Sequence, residues 1–199
     1  APLRLVDTFG RVARDLRVSL TDRCNLRCSY CMPPEGLDWL PTEETLTDDE
    51  VVRLVRVGVE RLGIRQVRFT GGEPLLRRGL EGIIEACSHM RTDEGNPLDL
   101  ALTTNALGLA KRAQGLKDTG LNRVNISLDS LDPEHFAAIT RRDRLGDVLE
   151  GIEAAARAGL SPIKVNALVL RGMNEADLPD LVDYCLDRGI ELRVIEQMP

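Results

Sequence analysis

The chain has 199 residues, of which 43% are hydrophobic and 29% charged, a balance that fits one soluble domain with a sizeable core. A formal net charge of −6 and a pI near 5.1 argue against a nucleic-acid partner, which would want a basic surface, but allow a small anion in a local basic pocket. No apolar run approaches a membrane span and the start, Ala1-Pro2-Leu3-Arg4-Leu5-Val6-Asp7, carries no signal-peptide apolar stretch, so no membrane partner and a cytoplasmic location are expected. The first residue is not Met, and Pro199 sits just past a strand candidate, so the chain reads as a portion of something longer.

Strand candidates along the chain are Asp15–Leu20, Gln66–Thr70, Leu98–Thr103, Arg123–Leu128, Ile163–Leu170 and Ile190–Ile195. Helix candidates lie between them, near 48–62, 79–90, 107–118, 146–158 and 175–188, with a short one opening at Asp132-Pro133. Thr47 and Glu50 form a capping box that starts the first helix. Gly63, Gly120, Gly159 and Gly189 each close a helix before a strand. Six β-α repeats imply a parallel sheet with right-handed crossovers, either doubly wound or a partial barrel.

The strand faces separate these alternatives. Strands of a doubly wound sheet are usually apolar on both faces. Here Leu16 and Val18 alternate with Arg17 and Ser19, Val67 and Phe69 with Arg68 and Thr70, and Val124 and Ile126 with Asn125 and Ser127. Ile163 and Val165 alternate with Lys164 and Asn166, and Leu192 and Val194 with Glu191 and Arg193. One face packs on helices and the other lines something polar, which favours a six-stranded (β/α)6 TIM-like partial barrel with an open lumen over a filled eight-stranded one. Arg17, Arg68, Lys164 and Arg193 then point inward. Four cations in one cavity call for a multiply charged anion such as a nucleotide polyphosphate, or else for internal carboxylates such as Asp129 or Glu191.

Three of the five cysteines, Cys24, Cys28 and Cys31, cluster in the loop leaving the first strand, whereas Cys87 and Cys185 lie singly in helical patterns and read as core. Thiolates suit zinc or iron–sulfur clusters. A structural zinc site wants four ligands, and neither His89 nor His135 lies near in sequence. A four-iron cluster on three cysteines instead leaves one iron open, where S-adenosylmethionine (SAM) can chelate. The spacing differs from that of bacterial ferredoxins. Gly71-Gly72-Glu73-Pro74 follows the second strand, where glycines allow close backbone approach. Ser127 and Met198 fall at the C-terminal mouth of the strands.

The three-then-two cysteine spacing, with Tyr30 before Cys31, resembles the radical SAM superfamily, and so does Gly-Gly-Glu-Pro. More narrowly, Leu16-Arg17-Val18-Ser19-Leu20-Thr21-Asp22-Arg23-Cys24-Asn25, Val67-Arg68-Phe69-Thr70, Thr103-Thr104-Asn105, Asn125-Ile126-Ser127-Leu128-Asp129-Ser130-Leu131-Asp132, Lys164-Val165-Asn166 and Ile195-Glu196-Gln197-Met198-Pro199 resemble the N-terminal half of the GTP 3′,8-cyclase family of molybdenum cofactor biosynthesis. The resemblance implies a radical SAM partial barrel over 14–199 preceded by an extension over 1–13. It implies a [4Fe-4S] cluster on Cys24, Cys28 and Cys31, and SAM against Tyr30, Gly72, Ser127 and Met198. Arg17, Arg68, Thr103, Lys164 and, less closely, Arg193 would contact GTP, which is converted to 3′,8-cyclo-7,8-dihydro-GTP. An external electron donor and a homodimer are implied as partners. The family also carries a second [4Fe-4S] cluster in a C-terminal region, and nothing in these 199 residues supplies its three cysteines. A further departure is Ala106, where the family has Gly; if that turn needs a positive φ, alanine costs about 1 kcal/mol or more.

Overall fold

The computed structural model describes residues 3–197. Six strands, β1 (Asp15–Ser19), β2 (Gln66–Thr70), β3 (Asp99–Thr104), β4 (Arg123–Ser127), β5 (Ile163–Val169) and β6 (Glu191–Glu196), form one parallel sheet in the order β1-β2-β3-β4-β5-β6. Six helices intervene: α1 (Asp48–Leu62), α2 (Leu80–Ser88), α3 (Leu109–Asp118), α4 (Pro133–Thr140), α5 (Leu145–Arg157) and α6 (Leu178–Asp187). The strand order never reverses. A doubly wound sheet needs a reversal to send its right-handed crossovers to both faces. Without one, the helices share a single face, and the other face closes around a lumen. β1 and β6 are not paired with each other, so the barrel is partial.

The local signals act as expected. Thr47 Oγ1 accepts from the Glu50 amide while the Glu50 carboxylate accepts from the Thr47 amide, and Gly63 ends α1 at φ 71. Asp132 caps α4 by accepting from the Glu134 and His135 amides. The core lies between sheet and helices: Val67, Phe69, Leu100, Leu102, Val124, Ile126 and Val165 meet Val55, Ile84, Leu109, Leu116 and Ile152, all essentially inaccessible. Cys87 and Cys185 are buried in this core, as expected. α4 is short, and α3 packs directly on α5. The edge strands depart from the expected pattern. Leu16 and Val18 are only half-buried, and Val194, expected to pack on helices, is 56% exposed. Each edge strand lacks one neighbour, so alternation alone does not bury its apolar face.

Register aligns the inward residues into rows. One row runs Arg17–Arg68–Ala101–Arg123 across β1 to β4. The next runs Thr103–Asn125–Lys164–Glu191 across β3 to β6, and a third runs Ser127–Asn166–Arg193. The first row is cationic, the second mixes neutral polar groups with a Lys–Glu pair, and the third runs from the C-terminal end of β4 to the middle of β6.

Candidate active site

The cysteine loop leaves β1 through Leu20, whose amide donates to Thr70 of β2 and whose carbonyl accepts from Arg77. Cys24, Cys28 and Cys31 line a single cavity of about 250 Å³ together with Tyr30, Gly71, Gly72, Thr103, Asn105, Ser127 and Asp129. The structure therefore brings together three strand ends and the whole predicted cysteine set. Burial pushes the Cys24 thiol up and the Cys28 thiol up to about 12. Such groups are poor free nucleophiles, and the charge of a bound metal centre is what offsets deprotonating them. Among the described residues no three of His, Cys, Asp or Glu form a set for a single metal ion. Three thiols lining one open cavity suit, by the chemistry of the donors, an iron–sulfur cluster held by three cysteines.

The segment after β2 is built by close approach. A Cβ on Gly72 would lie 2.3 Å from the Arg23 carbonyl oxygen and 2.5 Å from that of Asp22. The Gly72 amide donates to Thr21 O at 2.6 Å, and the Glu73 amide to Arg23 O at 2.7 Å. The glycine is thus required by the backbone entering the cysteine loop, besides lining the cavity. Glu73 is wholly buried and accepts from Leu75 N (2.9 Å), Thr104 Oγ1 (2.7 Å) and Asn105 N (2.7 Å). Burial raises its pKa and these donors oppose that rise. Asn105 Nδ2 donates in turn to Asn25 Oδ1 at 2.7 Å. One carboxylate thereby joins β2, β3 and the cysteine loop. Ala106 follows at φ 64, buried, so the turn does use the left-handed conformation that glycine adopts freely.

Tyr30 is fixed from the far wall. Its hydroxyl donates to Asp129 Oδ2 at 2.8 Å, while Asp129 Oδ1 accepts from Leu168 N at 2.8 Å. Burial first, then the neighbouring carboxylate, raises the phenol pKa. Burial raises that of Asp129 too, against the two donors. Asp129 therefore pairs with Tyr30 and not with a lumen cation. Met198 lies outside the described residues.

A second cavity, of about 430 Å³, lies toward the N-terminal ends of the strands and is lined by Arg68, Arg123, Lys164, Arg193, Asp99 and Gln66. Three of the four expected lumen cations meet there; Arg17 is exposed on edge strand β1 and joins them through its register with Arg68. The alternative of internal carboxylates holds for two of the four, through Glu191 and not Asp129. Lys164 and Arg193 each lie 2.8 Å from Glu191, the in-register neighbour of Lys164. Arg68 differs. Among the described residues it has no carboxylate in ion-pair range, its Nε is buried without a partner, and burial together with Arg123 and Arg17 pulls its pKa down. Arg123, held by Asp99 at 2.9 Å, went unnoticed in the sequence, although carrying the β4 alternation back one step from Asn125 would have found it.

This fold and site define a radical SAM barrel, and the chain belongs to the Radical SAM superfamily, whose profile matches residues 18–185. Membership brings SAM and a [4Fe-4S] cluster as its cofactors. Among individual proteins, the chain is similar to GTP 3′,8-cyclase of Corynebacterium glutamicum, 64% identical over 195 residues that cover 98% of this chain and 52% of that protein. It is similar also to GTP 3′,8-cyclase 2 of Mycobacterium tuberculosis, at 59% identity over 98% of this chain and 53% of that protein. The chain spans about half the length of the curated relatives it matches. In fold it resembles Streptococcus suis SuiB bound to the precursor peptide SuiA (TM-score 0.73, 19% identity, 93% of this chain and 39% of that one). It likewise resembles anSMEcpe with bound AdoMet (TM-score 0.70, 18% identity, 92% and 51%).

Proposed function

We propose that this chain is the barrel of a GTP 3′,8-cyclase, with residues 14–199 forming the radical SAM unit and 1–13 an extension. The observation that carries the reading is the pair of cavities along one sheet, a cysteine-lined one at the strand C-termini and a cationic one with Arg68, which has no carboxylate in ion-pair range among the described residues. Cys24, Cys28 and Cys31 hold the cluster, and Tyr30, Gly72, Ser127 and Met198 contact SAM. The cluster and SAM, held there, would supply one-electron reduction and hydrogen-atom abstraction, and the proposed overall reaction is conversion of GTP to 3′,8-cyclo-7,8-dihydro-GTP.

This chain's residues position and enclose. Arg17, Arg68, Lys164 and Arg193 anchor the triphosphate, and binding energy spent there holds the ribose in place. Thr103 suits the position between the two ends: it lines the cysteine cavity and lies in register with Asn125, the neighbour of Lys164. Buried Leu26 and Phe136 beside that cavity help exclude water from a reactive radical. In this reading a second [4Fe-4S] cluster, outside these 199 residues, completes the guanine subsite, an external donor supplies electrons, and the parent is a homodimer. The chain alone then cleaves SAM without forming the cyclised product.

Anaerobic reconstitution with iron and sulfide tests this. Iron is counted, and 5′-deoxyadenosine is measured with and without GTP, for the chain and for its full-length parent. Iron uptake by both and GTP-stimulated product only in the parent are expected. No iron uptake above background, or SAM cleavage by the parent indifferent to GTP, would refute the reading.

A further inference from the structure

The cysteine loop is held from behind by the C-terminal end of α4. The Arg27 amide donates to Thr140 O at 3.0 Å, and the Ser29 amide to Ile139 O at 2.8 Å. Arg141 then caps the helix at φ 55. Its Nη1 donates both to Arg27 O (2.8 Å) and to Met32 O (3.0 Å). Those carbonyls stand immediately before Cys28 and immediately after Cys31. One nitrogen therefore closes the ends of the segment that carries two of the three thiols. Inside it, the Cys31 and Met32 amides both donate to Cys28 O, at 2.9 and 3.1 Å. Arg27 extends the arrangement to the third thiol: its Nη1 donates to Cys24 O at 2.7 Å and Leu26 O at 2.8 Å, with its guanidinium over the Trp39 ring.

We propose that Arg141 is a positioning residue for the iron–sulfur site, setting the spacing of Cys28 and Cys31 by bridging the carbonyls that flank them. This rests on the reading that the three cysteines hold a cluster. Arg141 touches no thiol and acts through the backbone. Its positive charge also lies beside a segment that becomes anionic when the thiols ligate metal, so its loss should make the cluster harder to reduce. Arg142 is the natural control. It is exposed, its Nη1 donates only to the Arg141 carbonyl, and it carries the same charge one residue away.

The test uses the reconstituted full-length protein and the apoprotein in parallel. R141M should keep the overall fold, seen by circular dichroism, yet release iron to a chelator roughly 10–100-fold faster than wild type, the range typical for lost outer-shell support. Its cluster midpoint potential should fall and its electron paramagnetic resonance signal should change. In the apoprotein the Cys31 and Met32 amides should exchange faster. Because both bonds come from a single nitrogen, a lysine ammonium can replace it, and R141K should lie closer to wild type than to R141M. R142M should match wild type. R141M with wild-type iron retention and potential, or R141K as impaired as R141M, would overturn the proposal. A wild-type protein that takes up no iron would remove the cluster reading itself, and this proposal with it.

Discussion

Substituting Gly72 by alanine tests how the site is assembled. The new Cβ would sit 2.3 Å from Arg23 O, 2.5 Å from Asp22 O and 2.7 Å from Arg23 C, all backbone atoms that cannot rotate away. Restoring even a tight 3.0 Å contact needs a shift of about 0.7 Å, enough to stretch the bonds from Gly72 N to Thr21 O and from Glu73 N to Arg23 O beyond the usual N–H···O range. Weakening two backbone bonds costs up to roughly 1–3 kcal/mol together. Overpacking adds roughly 1–3 kcal/mol. At about 2–4 °C per kcal/mol for a domain of this size, the apoprotein should melt on the order of 10 °C lower. Thermal melts of the apoprotein, with amide exchange at Glu73, measure this. Gly115→Ala is the control: its Cβ meets nothing within 4 Å in helix α3, so the same change should stabilise by about 0.5–1 kcal/mol. A G72A protein melting within about 2 °C of wild type, with the Glu73 amide still protected, would refute the claim that this glycine is required by the cysteine loop.

Four other outcomes are expected. Glu73→Gln sets an amide donor against either the Asn105 N–H or the Leu75 N–H, and should lower stability by about 1–3 kcal/mol in chemical denaturation. Arg68→Met removes a cation crowded by Arg17 and Arg123 and lacking a carboxylate in ion-pair range; apoprotein stability should hold or rise, while, on the proposed GTP reading, the full-length protein's affinity for GTP by calorimetry falls about 10–100-fold. His135 is held above its ordinary value chiefly by its hydrogen bond to Asp177, with Asp132 and Glu134 adding to it, so its contribution is full below about pH 6.5 and is lost as pH rises through the folded-state value. A pH series of melts should show that loss in wild type and not in His135→Ala. Glu191→Gln frees Lys164 and Arg193, and should tighten binding of a nucleoside triphosphate by up to about fivefold, read by calorimetry.

Local chemistry made much of this molecule legible. Thr47 with Glu50, Asp132 with Pro133, and the glycines at helix ends each act within a few residues, so each element starts and stops within two or three residues of its expected place. The three cysteines lie within eight residues of one another, so their convergence required only a loop. What the sequence hid depends on register or on contact between distant segments. Lys164 meets Glu191 because β5 and β6 pair at that step, which neither strand discloses alone. Tyr30 meets Asp129 across 99 positions, and Arg141 meets Met32 across 109. Val194 alternates like a core residue and is exposed because the strand beside it is missing on one side. The conformation of Ala106 stayed conditional because φ is not written in an alanine.

Glu191 answers part of the lumen charge, but its exposure shows that it does not remove the need for an anion. Its side chain is 48% exposed, that of Arg193 42% and that of Lys164 16%, and ion pairs with a partner so open to water contribute little. Such a carboxylate is displaced at little cost by a ligand carrying several negative charges. The lumen also stays unbalanced with Glu191 in place: among the described residues, Arg68, Arg123, Lys164, Arg193 and the neighbouring Arg17 are set against Asp15, Asp99 and Glu191. Among the described residues, the one of the four cavity-lining cations without a carboxylate in ion-pair range is Arg68, whose Nε is closed to water and unbonded. Internal pairing and anion binding are therefore compatible: Glu191 keeps Lys164 and Arg193 extended toward the cavity, and Arg68 supplies the drive for an anion to enter it.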